Sequence, residues 1–394
     1  MPNSFALYRS VGEVLTQFDV DVERAELTQR GPVVLPGNVQ YVWPHPSRKY
    51  FYVTTSDGGS GSSGIPGSVF RLAALKVDAS GALTPHGEPA VLPTRPIHHC
   101  VDATGQYALT AYNHPSQITV HRINADGMVG ARVPHGATLD MGIFAHQVMM
   151  TPGGRSALLV TRGNNASKTR PEDPGALKFY RFDKGMLTPL ASIAPGGKGG
   201  LRYGPRHVDF HPHKPWMYAS IERQNTIHMH TLEGDVVSAE PLFCKTTLAN
   251  PQHAGLPRQM CSAIHVHPNG RFVYVANRAD HRVKHNGEKV FDVGENNIAV
   301  YAIDQTTGEP TLIQHAEAHV YHVRTFSFDP GGRLMVAASI GPMRVRAGSM
   351  VVTVPAAMSV YRVGDDGKLT FVRKYDTPVP PGKSQFWSGI VSLG

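Results

Sequence analysis

Side chains able to perform acid–base chemistry on an anion recur at matching positions of a repeated sequence unit. The unit is an apolar segment, a turn around Pro-x-Gly-Arg or a variant of it, and a second apolar segment. The residues eight positions before or after the turn centres include His146, Arg162, Arg206, Glu222, Arg278 and Arg324. A carboxylate can accept a proton, and guanidinium groups bind carboxylates or phosphates in bidentate geometry. The set therefore predicts an acid–base site for a small anionic substrate.

The repeated unit also explains why these residues should meet. If the two apolar segments form a hairpin about each turn, residues equally far before and after it face one another at the same end. The turns lie roughly 50 to 60 residues apart, a period typical of four-stranded β-propeller blades. The six turn centres are Arg48, Gly105, Gly154, Lys214, Gly270 and Gly332. We therefore expect the innermost strands to line a central channel, with the site at one mouth formed by blades three to six.

A seventh blade requires both ends of the chain. Residues 5–9, 14–22 and 26–35 have the pattern of three strands, and residues 386–391 supply a fourth. Pairing the two ends closes the ring and removes the exposed sheet edges. The predicted fold is all-β, a seven-bladed β-propeller closed by pairing of the N- and C-terminal strands, with residues 1–394 forming a single domain.

The composition agrees with this fold and disfavours two kinds of binding partner, membranes and nucleic acids. Hydrophobic residues make up 41% and charged residues 17%, with 40 Gly and 31 Pro, as expected for many short strands joined by turns. No apolar run approaches the roughly 20 residues that span a bilayer, so no membrane partner is expected. The net charge of +8 is dispersed rather than clustered, which disfavours nucleic acid. The N-terminus has no export signal, which predicts a cytoplasmic location.

Cysteine and histidine spacing gives no sign of a disulfide framework or a metal centre. Cys100, Cys244 and Cys261 are widely spaced, and we expect them to be reduced and buried. The His-Pro-His run at 211–213 and the His-Val-His run at 265–267 could each chelate a metal, because alternate strand residues share a face. The repeat places both runs at or just before a turn, so we predict no metal and no cofactor.

Four long segments, each joining the second and third strands of a blade, are predicted to lie at the same end of the channel as the site. They cover residues 57–67, 163–175, 281–295 and 341–357. Long loops in a compact domain are usually functional or disordered, so they could form a roof over the channel or be tolerated surface insertions.

Several motifs resemble those of a known family. The Gly-Pro-Arg-His run at 204–207, the downstream Glu222, the Ala-His pair at 145–146 and the Asn-Arg pair at 277–278 are similar to the seven-bladed propeller lactonases. This family includes 6-phosphogluconolactonases and the 3-carboxymuconate lactonizing enzymes. The resemblance covers nearly the whole chain and implies an active site of His146, Arg206, Glu222 and Arg278.

These residues suggest the hydrolysis of a small anionic lactone of the sugar-acid or muconate type. In this hypothesis Glu222 activates water, Arg206 and Arg278 stabilise the oxyanion, and His146 protonates the ring oxygen as it leaves. The side chains expected to bind substrate are His98, Asn113, Arg162, His207, His265 and Arg324.

Two alternatives remain open from the sequence. The same His, Arg and Glu could serve a lactonizing cycloisomerase that closes a carboxylate onto an activated double bond. The propeller could also be a non-catalytic module that binds a partner across its long loops, because one fold hosts many functions.

Overall fold

Strands form nearly all the regular structure of this computed structural model, which describes residues 5–59, 67–135 and 138–393. Within these ranges the strands form seven antiparallel sheets of four or five strands, together with two separate two-stranded hairpins. Each sheet is one blade, and in blades one to six the first strand lies innermost. The predicted all-β propeller is confirmed.

The first half of the chain forms blades one to three and most of blade seven. Blade seven contains β1 (Phe5–Val11), β2 (Val14–Asp21), β3 (Glu26–Val34) and, innermost, β34 (Ser388–Ser392). Blade one contains β4 (Asn38–Pro44), β5 (Tyr50–Ser56), β6 (Phe70–Val77), β7 (Leu83–Pro85) and β8 (Ala90–Val91). Blade two contains β9 (Pro96–Val101), β10 (Tyr107–Asn113), β11 (Ser116–Ile123) and β12 (Val129–Val133). Blade three contains β13 (Ala145–Met150), β14 (Ser156–Thr161), β15 (Ala176–Asp183) and β16 (Met186–Ile193).

The remaining blades follow the same order. Blade four contains β17 (Pro205–Phe210), β18 (Trp216–Ile221), β19 (Thr226–Glu233), β20 (Val236–Val237) and β21 (Phe243–Thr246), followed by a 3-10 helix at Pro251–Gly255. Blade five contains β22 (Gln259–Val266), β23 (Phe272–Ala279), β26 (Asn297–Ile303) and β27 (Pro310–Glu317). Blade six contains β28 (Val323–Phe328), β29 (Leu334–Ser339), β32 (Ala356–Val363) and β33 (Leu369–Thr377). The separate hairpins are β24 (Arg282–His285) with β25 (Glu288–Phe291), and β30 (Met343–Ala347) with β31 (Met350–Val354).

The ring closes between the two ends of the chain. Strand β34 pairs antiparallel with β1, placing Leu7 opposite Ile390. Seven clusters of buried apolar side chains fill the seven interfaces between adjacent blades. Since each blade buries both faces against its neighbours, the burial of apolar area and the closure of the ring stabilise the same arrangement.

Histidines at the strand ends link consecutive blades, which explains the two His-rich runs. The Nε2 atom of His211 donates to the carbonyl oxygen of Gly270 in the next blade at 2.8 Å, and His267 does the same to Gly332 at 2.7 Å. His45 makes the equivalent bond to Gly105 at 3.0 Å. These rings are therefore parts of the blade-to-blade packing.

Buried tyrosines on the second strands make a further set of links. Each hydroxyl donates to the carbonyl oxygen of a glycine in a hairpin turn of the following blade. The pairs are Tyr8 with Gly81 at 2.5 Å, Tyr52 with Gly127 at 2.8 Å, Tyr218 with Gly308 at 2.8 Å and Tyr274 with Gly367 at 2.7 Å. Because buried tyrosine hydroxyls need a partner, these bonds fix the angle between blades as well as their contact.

One of the cysteine predictions is wrong. All three cysteines are free, and Cys100 and Cys261 are buried, but Cys244 is exposed. It lies on β21, an additional outer strand that pairs with β19 beyond the regular blade pattern. Burial raises the pKa of the Cys100 and Cys261 thiols to about 12, so both are protonated and unreactive.

Two of the long segments fold into hairpins at the predicted end of the channel. The hairpin β24–β25 contacts the hairpin β30–β31, and Arg344 forms an ion pair with Glu288 between them. The segment at 57–67 lies mostly outside the described residues. Among the residues that are described, no helix is long and apolar enough to cross a bilayer.

The histidine link predicts unequal effects of one substitution at two equivalent turns. Gly270 has φ +71°, and an added Cβ would lie 2.6 Å from the His211 ring; Gly154 has φ +68° with no described atom within 4 Å. Gly154→Ala should cost about 1–2 kcal/mol in the free energy of unfolding, from backbone strain alone. Gly270→Ala should cost about 1–3 kcal/mol more, because the ring must also move. Urea unfolding of both variants tests this, and equal losses would contradict the link.

Candidate active site

Six of the ten predicted side chains meet at one mouth of the channel, at the ends of the first two strands of neighbouring blades. They line a cavity of about 930 Å³, whereas His98, Arg206, His207 and His265 do not line it. Its walls include His146 from β13, Arg278 from β23 and Arg324 from β28, with Arg162 and Glu222 just after β14 and β18. These residues meet because each hairpin carries the residues equally far before and after its turn to the same end of the blade.

The carboxylate of Glu222 holds three guanidinium groups. Its Oε1 accepts from Nη1 of Arg162 at 2.7 Å, and its Oε2 accepts from Nη2 of Arg278 at 3.0 Å. The Nε of Arg206 forms an ion pair with Oε2 at 3.1 Å. Glu222 and Arg206 are 4% and 1% exposed, so these charges are shielded from water.

This arrangement keeps Glu222 ionised. Burial by itself would raise the pKa of the carboxyl group, but the charges of Arg278, Arg162 and Arg206 outweigh it and lower the pKa to about 2. A carboxylate of such low pKa is a weak base at neutral pH, and both of its oxygens already accept from guanidinium groups. Glu222 is therefore better suited to positioning the arginines than to accepting a proton.

The cavity carries a strong excess of positive charge. Eight arginines line it, against the carboxylates of Glu172, Glu222 and Asp280. The guanidinium of Arg324 lies over the Phe386 ring at 3.6 Å, and its Nε donates to the Phe386 carbonyl oxygen at 3.2 Å. Within the described residues Arg324 pairs with no carboxylate. A concave site with this balance attracts small anions.

Arg95 also lines the cavity, although its position relative to the turns does not predict this. It lies just before β9, and its Nη2 donates to Oδ1 of Asn113 at 3.3 Å while Nη1 donates to Gln40. Its partners are neutral amides, so its charge remains available to an anion. Asn113, predicted to bind substrate, lines the same cavity. Arg95 lies outside the repeat positions, and only its place three residues before His98 could have indicated it.

From His146 in the cavity wall, a cluster of three buried histidines extends deeper into the channel. The rings of His146 and His207 are 4.9 Å apart, and those of His98 and His207 are 5.9 Å apart. The Nη1 of Arg206 donates to Nδ1 of His207 at 3.1 Å, which requires that Nδ1 carry no proton. Burial first, and then nearby positive charge including that of Arg206, lowers the pKa of all three well below its usual value. All three rings are neutral at pH 7, and the Nδ1 of His146 has no hydrogen-bond partner among the described residues.

His265 does not join this cluster. In β22 the position equivalent to His146 and Arg206, eight residues before the turn centre, is Ser262. His265 lies three residues further along the strand, about 10 Å away. Its ring faces Asp209 at 3.5 Å and lines a second cavity of about 510 Å³ at the other end of the channel. That cavity is walled by aromatic side chains, including Tyr41, Trp43 and Trp387.

Comparison with known proteins identifies the family. The model for the family described as lactonase, 7-bladed beta-propeller, matches residues 5–341. The chain belongs to this family. Curated relatives of this lactonase include a 6-phosphogluconolactonase of Bacillus subtilis strain 168, 27% identical over 337 residues, covering 83% of this chain and 84% of that protein. A 6-phosphogluconolactonase of Serratia proteamaculans is 24% identical over 384 residues, covering 94% of this chain and 93% of that protein.

Solved structures share the fold of this lactonase. The periplasmic gluconolactonase PpgL of Pseudomonas aeruginosa superposes with a TM-score of 0.68 at 18% identity, over 99% of both chains. A Bacteroides uniformis protein superposes with a TM-score of 0.72 at 16% identity, over 98% of this chain and 99% of that one. At these identities the similarity establishes the architecture alone.

The low pKa of Glu222 predicts how the stability of the lactonase depends on pH. A pKa of 4.5 in the unfolded chain and about 2 in the folded protein gives about 3 kcal/mol above pH 4.5, which is lost as the pH falls towards 2. Glu222→Gln removes this titration. Between pH 6 and pH 3 the wild type should therefore lose about 2 kcal/mol more than Glu222→Gln in urea unfolding. Parallel losses in the two proteins would show that Glu222 is not held ionised.

Proposed function

We propose that this lactonase hydrolyses a small lactone carrying a negatively charged group, such as 6-phosphogluconolactone. The single observation that supports this most is the excess of arginine over carboxylate around the cavity. The curated relatives carry the name 6-phosphogluconolactonase, which agrees with a substrate of that charge. Guanidinium groups bind phosphate and carboxylate groups strongly where water is excluded.

The arginines divide into two sets by their partners. Among the described residues, Arg324 and Arg95 bond only to neutral groups, so they are suited to hold the anionic group of the substrate. Arg278 lines the cavity and is oriented by Glu222, so the lactone carbonyl oxygen would lie beside it, with the buried charge of Arg206 behind. In that position the two arginines would stabilise the oxyanion that develops in the transition state.

In our mechanism His146 transfers the proton. A water molecule attacks the lactone carbonyl carbon while His146 takes its proton, and the carbonyl electron pair moves to the oxygen to give the oxyanion. As the intermediate collapses, the bond to the ring oxygen breaks and His146 returns the proton to that oxygen. The product is the open hydroxy acid. One histidine thus acts as base and then as acid.

The base role moves from Glu222 to His146 for a physical reason. Both oxygens of Glu222 already accept from guanidinium groups, whereas the Nδ1 of His146 has no hydrogen-bond partner among the described residues. Burial and the nearby arginines lower the pKa of His146. A bound anion would offset part of that positive charge and raise the pKa, so that the base strengthens once substrate is present.

Substitution of His146 tests this role. His146→Gln should lower kcat by about 10²- to 10⁴-fold, since it removes proton transfer, and should change KM far less. Initial rates of 6-phosphogluconolactone hydrolysis, corrected for spontaneous opening, provide the measurement. His265→Gln is the matched control and should retain wild-type rates, because that ring lies at the other end of the channel. Loss of activity in Glu222→Gln with full activity in His146→Gln would return the base role to Glu222.

A substrate panel tests the reaction itself. The value of kcat/KM should be highest for 6-phosphogluconolactone and at least about tenfold lower for uncharged gluconolactone, since one charge-assisted contact contributes more than about 1.4 kcal/mol. A saturable rate with a carboxymuconate alone would establish the lactonizing reaction instead. No turnover of any of these compounds would overturn the proposed function.

A further inference from the structure

His322 occupies a strained position at the edge of the candidate site. It directly precedes β28, is 8% exposed and has φ +57°. Its backbone N–H donates to Oδ1 of Asn296 at 2.7 Å, which holds the residue in place. Residues other than Gly adopt this conformation uncommonly, with Asn, Asp and His the most frequent among them, and such strain concentrates at functional sites.

The His322 ring connects Arg278 to a second carboxylate. Nη1 of Arg278 donates to Nε2 of His322 at 3.1 Å, and Nδ1 of His322 lies 3.2 Å from Oδ2 of Asp280. A guanidinium group has no acceptor, so Nε2 must hold a lone pair and Nδ1 must carry the proton. His322 is thus a neutral ring that accepts from Arg278 and donates to Asp280.

Asp280 is itself fixed by an arginine at the rim. Nε of Arg258 donates to Oδ1 at 2.5 Å and Nη2 donates to Oδ2 at 2.6 Å, a bidentate pair. Burial would raise the pKa of Asp280, but its bonds with His322 and Arg258 keep it below the usual value. Arg258, Asp280, His322, Arg278 and Glu222 therefore form one continuous chain of alternating donors and acceptors.

This chain keeps Arg278 from pairing fully with Glu222. One Nη atom of Arg278 bonds to Glu222 and the other bonds to His322. A bidentate pair with both Nη atoms on the carboxylate is the stronger arrangement for an arginine beside a glutamate. Without the acceptor on His322, Arg278 would be held only by its single bond to Glu222, and its guanidinium would be free to rotate about that bond.

We propose that His322 is a positioning residue, which holds the Arg278 guanidinium in the orientation that stabilises the oxyanion formed on the lactone carbonyl oxygen. The role of Arg278 rests on the proposed function, whereas the orientation by His322 rests on the hydrogen bonds alone. Asp280 and Arg258 act through His322 by fixing its ring and its tautomer.

Two substitutions of His322 separate positioning from mere packing. His322→Gln keeps an oxygen near the place of Nε2 to accept from Arg278. His322→Asn can still bond to Asp280 but is too short to reach Arg278. Asn tolerates φ +57° better than Gln, so a purely structural role predicts that Asn is the better replacement.

Positioning predicts the opposite order in function. The kcat for 6-phosphogluconolactone should fall on the order of 10²-fold in His322→Asn and recover by at least about tenfold in His322→Gln. Thermal melting of both proteins shows that each is folded, with Asn at least as stable as Gln. Equal kcat values, or a higher kcat for Asn, would overturn the role of His322.

Titration calorimetry with 6-phosphogluconate, the hydrolysis product, measures the same orientation without catalysis. The Kd should rise about tenfold in His322→Asn and stay near the wild-type value in His322→Gln, because the product carboxylate, which derives from the lactone carbonyl, needs the same Arg278 orientation. If the wild type turns over no lactone but shows this order, the proposed function fails and the positioning role stands. If the affinity for 6-phosphogluconate is the same in all three proteins, the positioning role fails whatever the activity.

Discussion

The site depends on one buried carboxylate shared by guanidinium groups from three blades. Glu222 and Arg206 belong to blade four, Arg162 to blade three and Arg278 to blade five, and all four side chains converge within hydrogen-bonding or ion-pairing distance. Removing one member of a buried ionic network leaves the others without compensation, typically at a cost of about 3–5 kcal/mol. The closed ring of blades makes the network possible, because it holds three separate strand ends at fixed distances.

The same interaction sets the chemistry of the remaining residues. Glu222 neutralises only part of the charge around it, so the cavity stays positive. Burial first, and then the nearby arginines, keep His146 and His207 neutral. The Nδ1 of His146 has no partner among the described residues, and Arg324, which bonds to a backbone carbonyl, can bind an anion. Each property follows from burial and from the balance of charges.

Much of the fold and of the site could be predicted from the sequence, because the turns depend on local sequence and recur along the chain. The spacing of the turns predicts the length of a blade. Glu222 and Arg278 each lie eight residues after a turn centre, which places them at the same end of neighbouring blades. The strand-like segments at the two ends of the chain form one further blade, which β34 closes. Residues outside the repeat could not be placed in this way. Cys244 lies on an added strand, and His322 depends on a left-handed backbone that no local pattern reveals. His265 has a suitable residue type but lies too far down its strand.

The central claim is that an anion binds between blades three and six, against arginines that Glu222 has already oriented. A crystal structure with 6-phosphogluconate tests it most directly. The account predicts that the ligand lies in the mouth lined by His146, Arg278 and Arg324, with the bonds of Glu222 unchanged. A ligand bound instead at the aromatic end beside His265, or a mouth left empty at saturating ligand, would contradict it.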